Sequence, residues 1–165
     1  MTSITQPRIG AQGTDFSISG ALRRTLATDG AIAPVVLRLT LALVMFPHGA
    51  QKVLGWFGGY GFDGTMGYIT SLGFPAALAT VAILAEFLAP IALLVGIGTR
   101  FAALSFIGVM AGAIATVHLP HGFFMNWSGA QAGEGFEFHL LLIGAALALV
   151  VAGGGKWSLD REIAS

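Results

Sequence analysis

The run PVVLRLTLALVMFPHGAQKVL, residues 34–54, is long enough to be a membrane helix and too polar to be only that. Its length is close to the roughly 20 residues that a helix needs to cross a hydrocarbon core about 30 Å thick. A barrel strand would need about ten residues in strict alternation, and here the apolar side chains fall on all sides. Yet Arg38 stands near the start of the run, and Pro47, His48, Gly49, Gln51 and Lys52 crowd its end.

Three further runs share its length and composition: FPAALATVAILAEFLAPIALLVGIG (74–98), RFAALSFIGVMAGAIATVHLP (100–120) and FEFHLLLIGAALALVVAGG (136–154). The expected fold is therefore all-α, a bundle of four transmembrane helices. The whole chain agrees. It has 165 residues, 55% hydrophobic and only 10% charged, with a mean hydropathy of +0.81. A soluble domain carries about 25% charged residues, so this chain lacks the charge to cover a wetted surface. In lipid each helix must satisfy its own amides, and helices associate through close packing and polar contacts. The small residues Ala111, Gly112, Ala113 and Ala115, and Gly144, Ala145, Ala146 and Ala148, suit such packing.

Residues 1–33 are polar and hold no apolar core of a cleavable signal; the expectation is a disordered tail with a short surface helix at SGALRRTLAT, its arginines against headgroups. Residues 155–165 form a second tail. Arg8, Arg23 and Arg24 precede the first run, Arg100 lies between the second and third, and Lys156 and Arg161 follow the fourth. The other two loops add only Lys52, so the positive-inside rule places both termini in the cytoplasm. Loops 55–73 and 119–135 then face outward, with Trp56, Phe57, Tyr60, Phe62, Phe123, Phe124 and Trp127 as interfacial anchors.

At 1.5 Å per residue, His48 lies about 9 Å inside the outer end of its span and Glu86 about 18 Å inside, near the bilayer middle. His118, Glu137 and His139 gather at the outer ends of spans three and four. From the outer face inward, the ionisable groups form a column: Lys52, His118, Glu137 and His139, then His48, Glu86 and Arg38. A charge at mid-membrane costs about 2.5–3.5 kcal/mol on insertion scales and normally turns to a partner or a cavity. Pro90 denies the Glu86 carbonyl its helical donor, and Pro47 does the same to Leu43 and should kink the first helix before His48. Bland readings stand beside this one. Arg38 and Lys52 reach headgroups by snorkelling, Glu86 makes a structural contact with Arg38 or His48, and His118, His121 and His139 sit at the interface.

Other chemistry is bounded more tightly. There is no cysteine and the formal net charge is zero, which excludes thiol–disulfide exchange by the chain itself and argues against a nucleic-acid partner. His118, His121, Glu137 and His139 allow a divalent-ion arrangement without matching a specific signature, and His48 opposite His118 would meet the bare requirement of a bis-histidine haem. The glycines of WFGGYGFDGTMG lack a Walker lysine and read as an outer turn, and NWS at 126–128 is too short a match to use.

Taken together, LRLTLALVMFPHGAQKVLGWFGG, the glutamate of AILAEFLAPIALLVGIGTR, ATVHLPHGF, the GFE that opens the fourth run and GGGKWSLD resemble the DoxX family of small bacterial membrane proteins, over about residues 34–162. The resemblance implies a multi-pass inner-membrane protein of four helices, with relatives linked to quinone-dependent thiosulfate oxidation and to complexes that handle oxidative or thiol stress. The family pattern falls on Arg38, His48, Gly49, Lys52, Glu86, Arg100, His118, Glu137 and Asp160.

The resulting expectation is a quinone-linked redox subunit. Glu86 and His48 carry the proton chemistry, and Arg38, Lys52, His118 and Glu137 bind the quinone, which enters between spans one and two. No metal and no covalently held cofactor is assigned, and electrons come from a partner oxidoreductase. The alternatives are a non-catalytic scaffold that recruits soluble redox enzymes and a small-solute or proton-coupled carrier, for which a homo-oligomer would supply the path.

Overall fold

Helix α1, Ala33–Leu54, starts with Pro34 in its first turn, where a missing amide hydrogen removes nothing the helix needs. It continues through Pro47 and stops at Gly55, whose φ of 70° is left-handed. The coordinates, a computed structural model, describe residues 20, 23, 25–28 and 30–165. After a single 3-10 turn at Trp56–Gly58 comes α2, Gly61–Ser71, and then α3, Ala76–Val95. Gly96 and Gly98, at φ 71° and 58°, turn the chain directly into α4, Thr99–Ala113. That helix widens into a π-helical turn at Ile114–His118 and ends in a 3-10 turn at Leu119–His121. Helix α5, Glu137–Ala152, and the short α6, Leu159–Ala164, complete the chain.

All described secondary structure is helical. Three helical stretches are long and apolar enough to cross a membrane: Ala33–Leu54, Ala76–Val95 and Thr99–His121. The fourth expected run, 136–154, forms only the 16 residues of α5, about 24 Å at 1.5 Å per residue. Glycines 153–155 end it, and Gly153 and Gly155 hold φ of 76° and 70°.

The core lies where α1, α3, α4 and α5 meet, around Met45, Leu93, Phe106 and Leu149. Backbones approach there through Ala42, Ala103 and Ala146, each with 0% exposure. Of the eight small residues expected to make such contacts, only Ala146 is buried. Ala145 packs half-buried against the core, and the other six face outward or line open space, because small side chains mark a close approach only where a second helix lies on that face. Outward positions such as Leu43, Leu141 and Val151 are 73–81% exposed, as lipid-facing residues should be.

One end of the bundle is locked by charge meeting backbone. Arg38 is 3% exposed and donates to the carbonyls of Leu93 (2.7 Å), Leu94 (2.7 Å) and Trp157 (2.8 Å). The Asp160 carboxylate accepts from Gly98 N (2.6 Å) and Thr99 N (2.8 Å) at the start of α4, where orphaned amides and the helix dipole favour an anion. Arg100 donates to Val150 and Val151 of α5 and to Thr25 and Ala27. Thr28 bonds the Ala152 carbonyl and the Gly155 amide. The segment 155–165 is thus folded onto the bundle, and residues 25–28 and Ala31 sit at the same end. The expected disordered tail lies largely outside the described residues, as does much of the surface helix expected at 19–28.

Candidate functional site

The other end of the bundle encloses the site. Near the middle of α3, Glu86 is 6% exposed, and Pro90, four residues on, offers no hydrogen to its carbonyl. That carbonyl faces Gly49 of α1: a Cβ added to Gly49 would collide with Glu86 O and would lie 2.6 Å from Phe87 Cα. Only a hydrogen fits there, and a Cα–H beside a carbonyl without a helical donor is a weak but fitting partner. The close approach carries α1 against α3 with Lys52 one turn beyond His48, and the Lys52 ammonium forms an ion pair with Glu86 Oε2. The side chains of the pair are 31% and 7% exposed, respectively.

Beside this pair opens a cavity of about 920 Å³. His48, Lys52, Glu86, His118, Glu134 and His139 line it among mostly apolar neighbours such as Met45, Leu78, Ala82, Val109 and Phe138. Pockets for small organic ligands are concave, largely apolar and roughly 300–1,000 Å³, with a few convergent polar groups. His118 comes off the π-helical turn, a feature common at functional sites. Its ring packs on that of His139 with centroids 4.0 Å apart, and its Nδ1 lies 2.8 Å from the Glu134 carbonyl.

Two residues expected in the site are elsewhere. Arg38 does not line the cavity; its guanidinium is consumed by the carbonyls at the opposite end of the bundle. Its sequence position gave it a depth near Glu86, but the carbonyls it meets are seven and eight residues further along α3. Glu137 is not on the cavity wall either. Its Oε1 accepts from Met125 N (2.8 Å) and Trp127 Nε1 (3.3 Å) and pins the loop that precedes α5. Glu134 Oε2 adds a bond from Asn126 N (2.6 Å), so the loop bearing Met125 and Trp127 is held at the mouth. The divalent-ion arrangement of His118, His121, Glu137 and His139 is not formed: among the described residues no three His, Cys, Asp or Glu side chains are placed to share an ion. Glu86 pairs with Lys52, not with Arg38 or His48.

The structure also adds wall residues. Thr65, Tyr68 and Ile69 of α2 and Leu72 just after it line the cavity, although the segment reads from sequence as a glycine-rich turn. Their spacing of three, four and seven is the signal of one helical face. His139, expected at the interface, is buried at 8% exposure.

The chain is similar along most of its length to known membrane proteins. The family model described as DoxX matches residues 33–119. "Inner membrane protein YphA" of Escherichia coli is 32% identical over 141 residues, 81% of this chain and 94% of the relative. "Inner membrane protein YqjF" of the same organism is 32% identical, covering 79% of this chain and 91% of the relative. "Putative oxidoreductase CatD" of Bacillus subtilis is 28% identical, covering 78% and 85%. No solved structure matches.

Proposed function

The chain belongs to the DoxX family, and from that premise we propose that it is a quinone-linked redox subunit of the bacterial inner membrane, working with a partner oxidoreductase. The observation that carries this reading is the Lys52–Glu86 ion pair, with His48 beside it, on the wall of a mostly apolar cavity. The Bacillus relative named as an oxidoreductase lends it weaker support.

Four crossings complete the topology. Residues 25–28 and Ala31, the start of α1, the end of α5 and the C-terminal segment meet at one end, which supports an even number of crossings with α5 as a short fourth span. Arg23, Arg38, Arg100, Lys156 and Arg161 mark that end as cytoplasmic. The cavity then opens toward the outer half of the bilayer.

The residues present fit a quinone head: an apolar wall for the ring, and Lys52, His48 and His139 as hydrogen-bond donors for its oxygens. When bound, a quinone accepts two electrons and two protons. The chain has no thiol and supplies no electrons, which come from the partner's donor. Lys52 and Glu86 hold a proton between an amine and a carboxylate at the cavity wall. His48, one turn from Lys52 on the same face of α1, makes no hydrogen bond among the described residues and is free to pass a proton. The apolar wall excludes bulk water, which strengthens each of these contacts.

Quinone binding by the purified protein tests the reading, with Glu86→Gln and His48→Ala beside the wild type. Weaker binding and slower partner-dependent quinone reduction in both variants are expected. Wild-type binding and turnover in both would end it. Stoichiometric capture of a redox enzyme by a protein that binds no quinone would favour a scaffold instead.

A further inference from the structure

His139 is a buried side chain with nothing to bond. It is 8% exposed and lines the cavity, and its Nδ1 is sealed without a hydrogen-bond partner among the described residues. A buried N–H without an acceptor is rarer than a bare acceptor, so the neutral ring keeps its hydrogen on Nε2 and leaves Nδ1 as the lone pair. His118 is fixed the other way. Its Nδ1 faces the Glu134 carbonyl, which only accepts, at 2.8 Å. The two rings, tilted by 44° with 4.0 Å between centroids, therefore leave the His139 Nε2–H as an unused donor beside a mostly apolar space. Such a donor calls for an acceptor oxygen. A carboxylate ligand would meet Glu86, whose countercharge is already taken by Lys52, so a neutral carbonyl is the better match.

Small residues line one side of the same cavity. Gly108 and Gly112 of α4 lie four apart on one face, both line the cavity, and a Cβ on either would meet nothing within 4 Å. Ala82 and Ala85 of α3 and Ser105 of α4 line the cavity beside them. In a membrane helix a glycine pair of this spacing normally admits a close neighbour, yet no described residue fills the space.

We propose that His139 donates through Nε2 to a carbonyl oxygen of a neutral long-tailed quinone, whose tail leaves the cavity between α3 and α4 across Gly108 and Gly112. This rests on the quinone reading above, with the passage placed between the second and third spans instead of the first and second.

Two benzoquinones with one head group, one bearing a methyl and the other a decyl chain, provide the test. Their affinities are measured by titration calorimetry against the protein in nanodiscs, with empty nanodiscs as the baseline. Gly108→Leu and Gly112→Leu should each lower affinity for the decyl form at least tenfold more than for the methyl form. His139→Phe should weaken both forms about tenfold, and His139→Gln, which keeps a donor, should recover part of the loss. Equal effects of the leucine variants on both quinones, or wild-type affinity in His139→Phe, would overturn the proposal. So would leucine variants that turn a dimer into a monomer at unchanged decyl affinity, since a second copy would then be the occupant. A wild-type protein that binds neither quinone removes the parent reading itself.

Discussion

Lys52 on α1 and Glu86 on α3 are ion-paired across the helix interface, and only the lysine has partial access to the outside. The pair is therefore asymmetric. If Glu86 is replaced by Gln, the lysine stem can swing its ammonium toward the outer headgroups. If Lys52 is replaced by Met, the carboxylate stays buried with no cation near it. Breaking a fully buried pair costs roughly 3–5 kcal/mol. Lys52→Met should approach that range, Glu86→Gln should fall below it, and the double variant should cost less than the sum of the two. Thermal unfolding of the three variants in one detergent checks the order; equal costs for the two single changes would contradict it.

Gly49→Ala should disturb the same pair without touching either charge. The added methyl would strike the Glu86 carbonyl and Phe87 Cα, both backbone atoms that cannot swing aside, so α1 and α3 must separate. Overpacking of this kind costs about 1–3 kcal/mol. The expected results are a lower melting temperature and faster modification of Lys52 by an amine reagent. An unchanged protein would show that the interface is looser than its geometry.

The spans were largely legible because length and apolarity are properties of the chain alone. The run at 34–54 matches α1 to within one residue and that at 74–98 contains α3, and the third extends by a π-helical turn. What sequence could not supply was rotation. Depth placed Arg38 and Glu86 in one column, but which face each side chain takes depends on the neighbouring helix, and Arg38 turned to the backbone of α3 and the C-terminal segment. His139 was underestimated for the same reason: position at a span's end suggested an interface, while packing of α4 on α5 buried it. Helix α2 was hidden by Gly61, Gly64 and Gly67, which lower local helix propensity although Thr65, Tyr68, Ile69 and Leu72 keep a helical period.

Arg38→Lys should separate structure from binding. Three backbone carbonyls share the guanidinium, and a hydrogen bond to a charged group contributes about 1.5–3 kcal/mol. An ammonium at the end of a flexible stem cannot match a planar fork that reaches two segments. The Trp157 contact is expected to fail first, so the C-terminal segment should loosen and trypsin should cut at Lys156 and Arg161 more quickly. Ligand affinity should hold within about twofold, since the side chain does not line the cavity. A selective loss of affinity in a protease-resistant variant would return Arg38 to the site.

Glu137→Ala tests how the cavity mouth is held. The carboxylate ties the Met125 amide and the Trp127 indole to the first turn of α5, and both of those residues contribute to the cavity wall. Without it, the charge-assisted bond to the Met125 amide is lost and the loop remains tethered by Glu134 to Asn126 and by the backbone bonds of Gly122, Phe123 and Phe124 to residues 135–137. The loss should be local, because the remaining tethers hold both ends of the loop while its centre is released. Amide exchange at 125–127 should accelerate by about an order of magnitude, consistent with removal of one bond of roughly 1.5 kcal/mol, while exchange in α1 and α3 stays at the wild-type rate. Acceleration that spreads into those helices would mean that Glu137 supports the bundle as a whole, and no acceleration at all would mean that the backbone bonds alone fix the mouth.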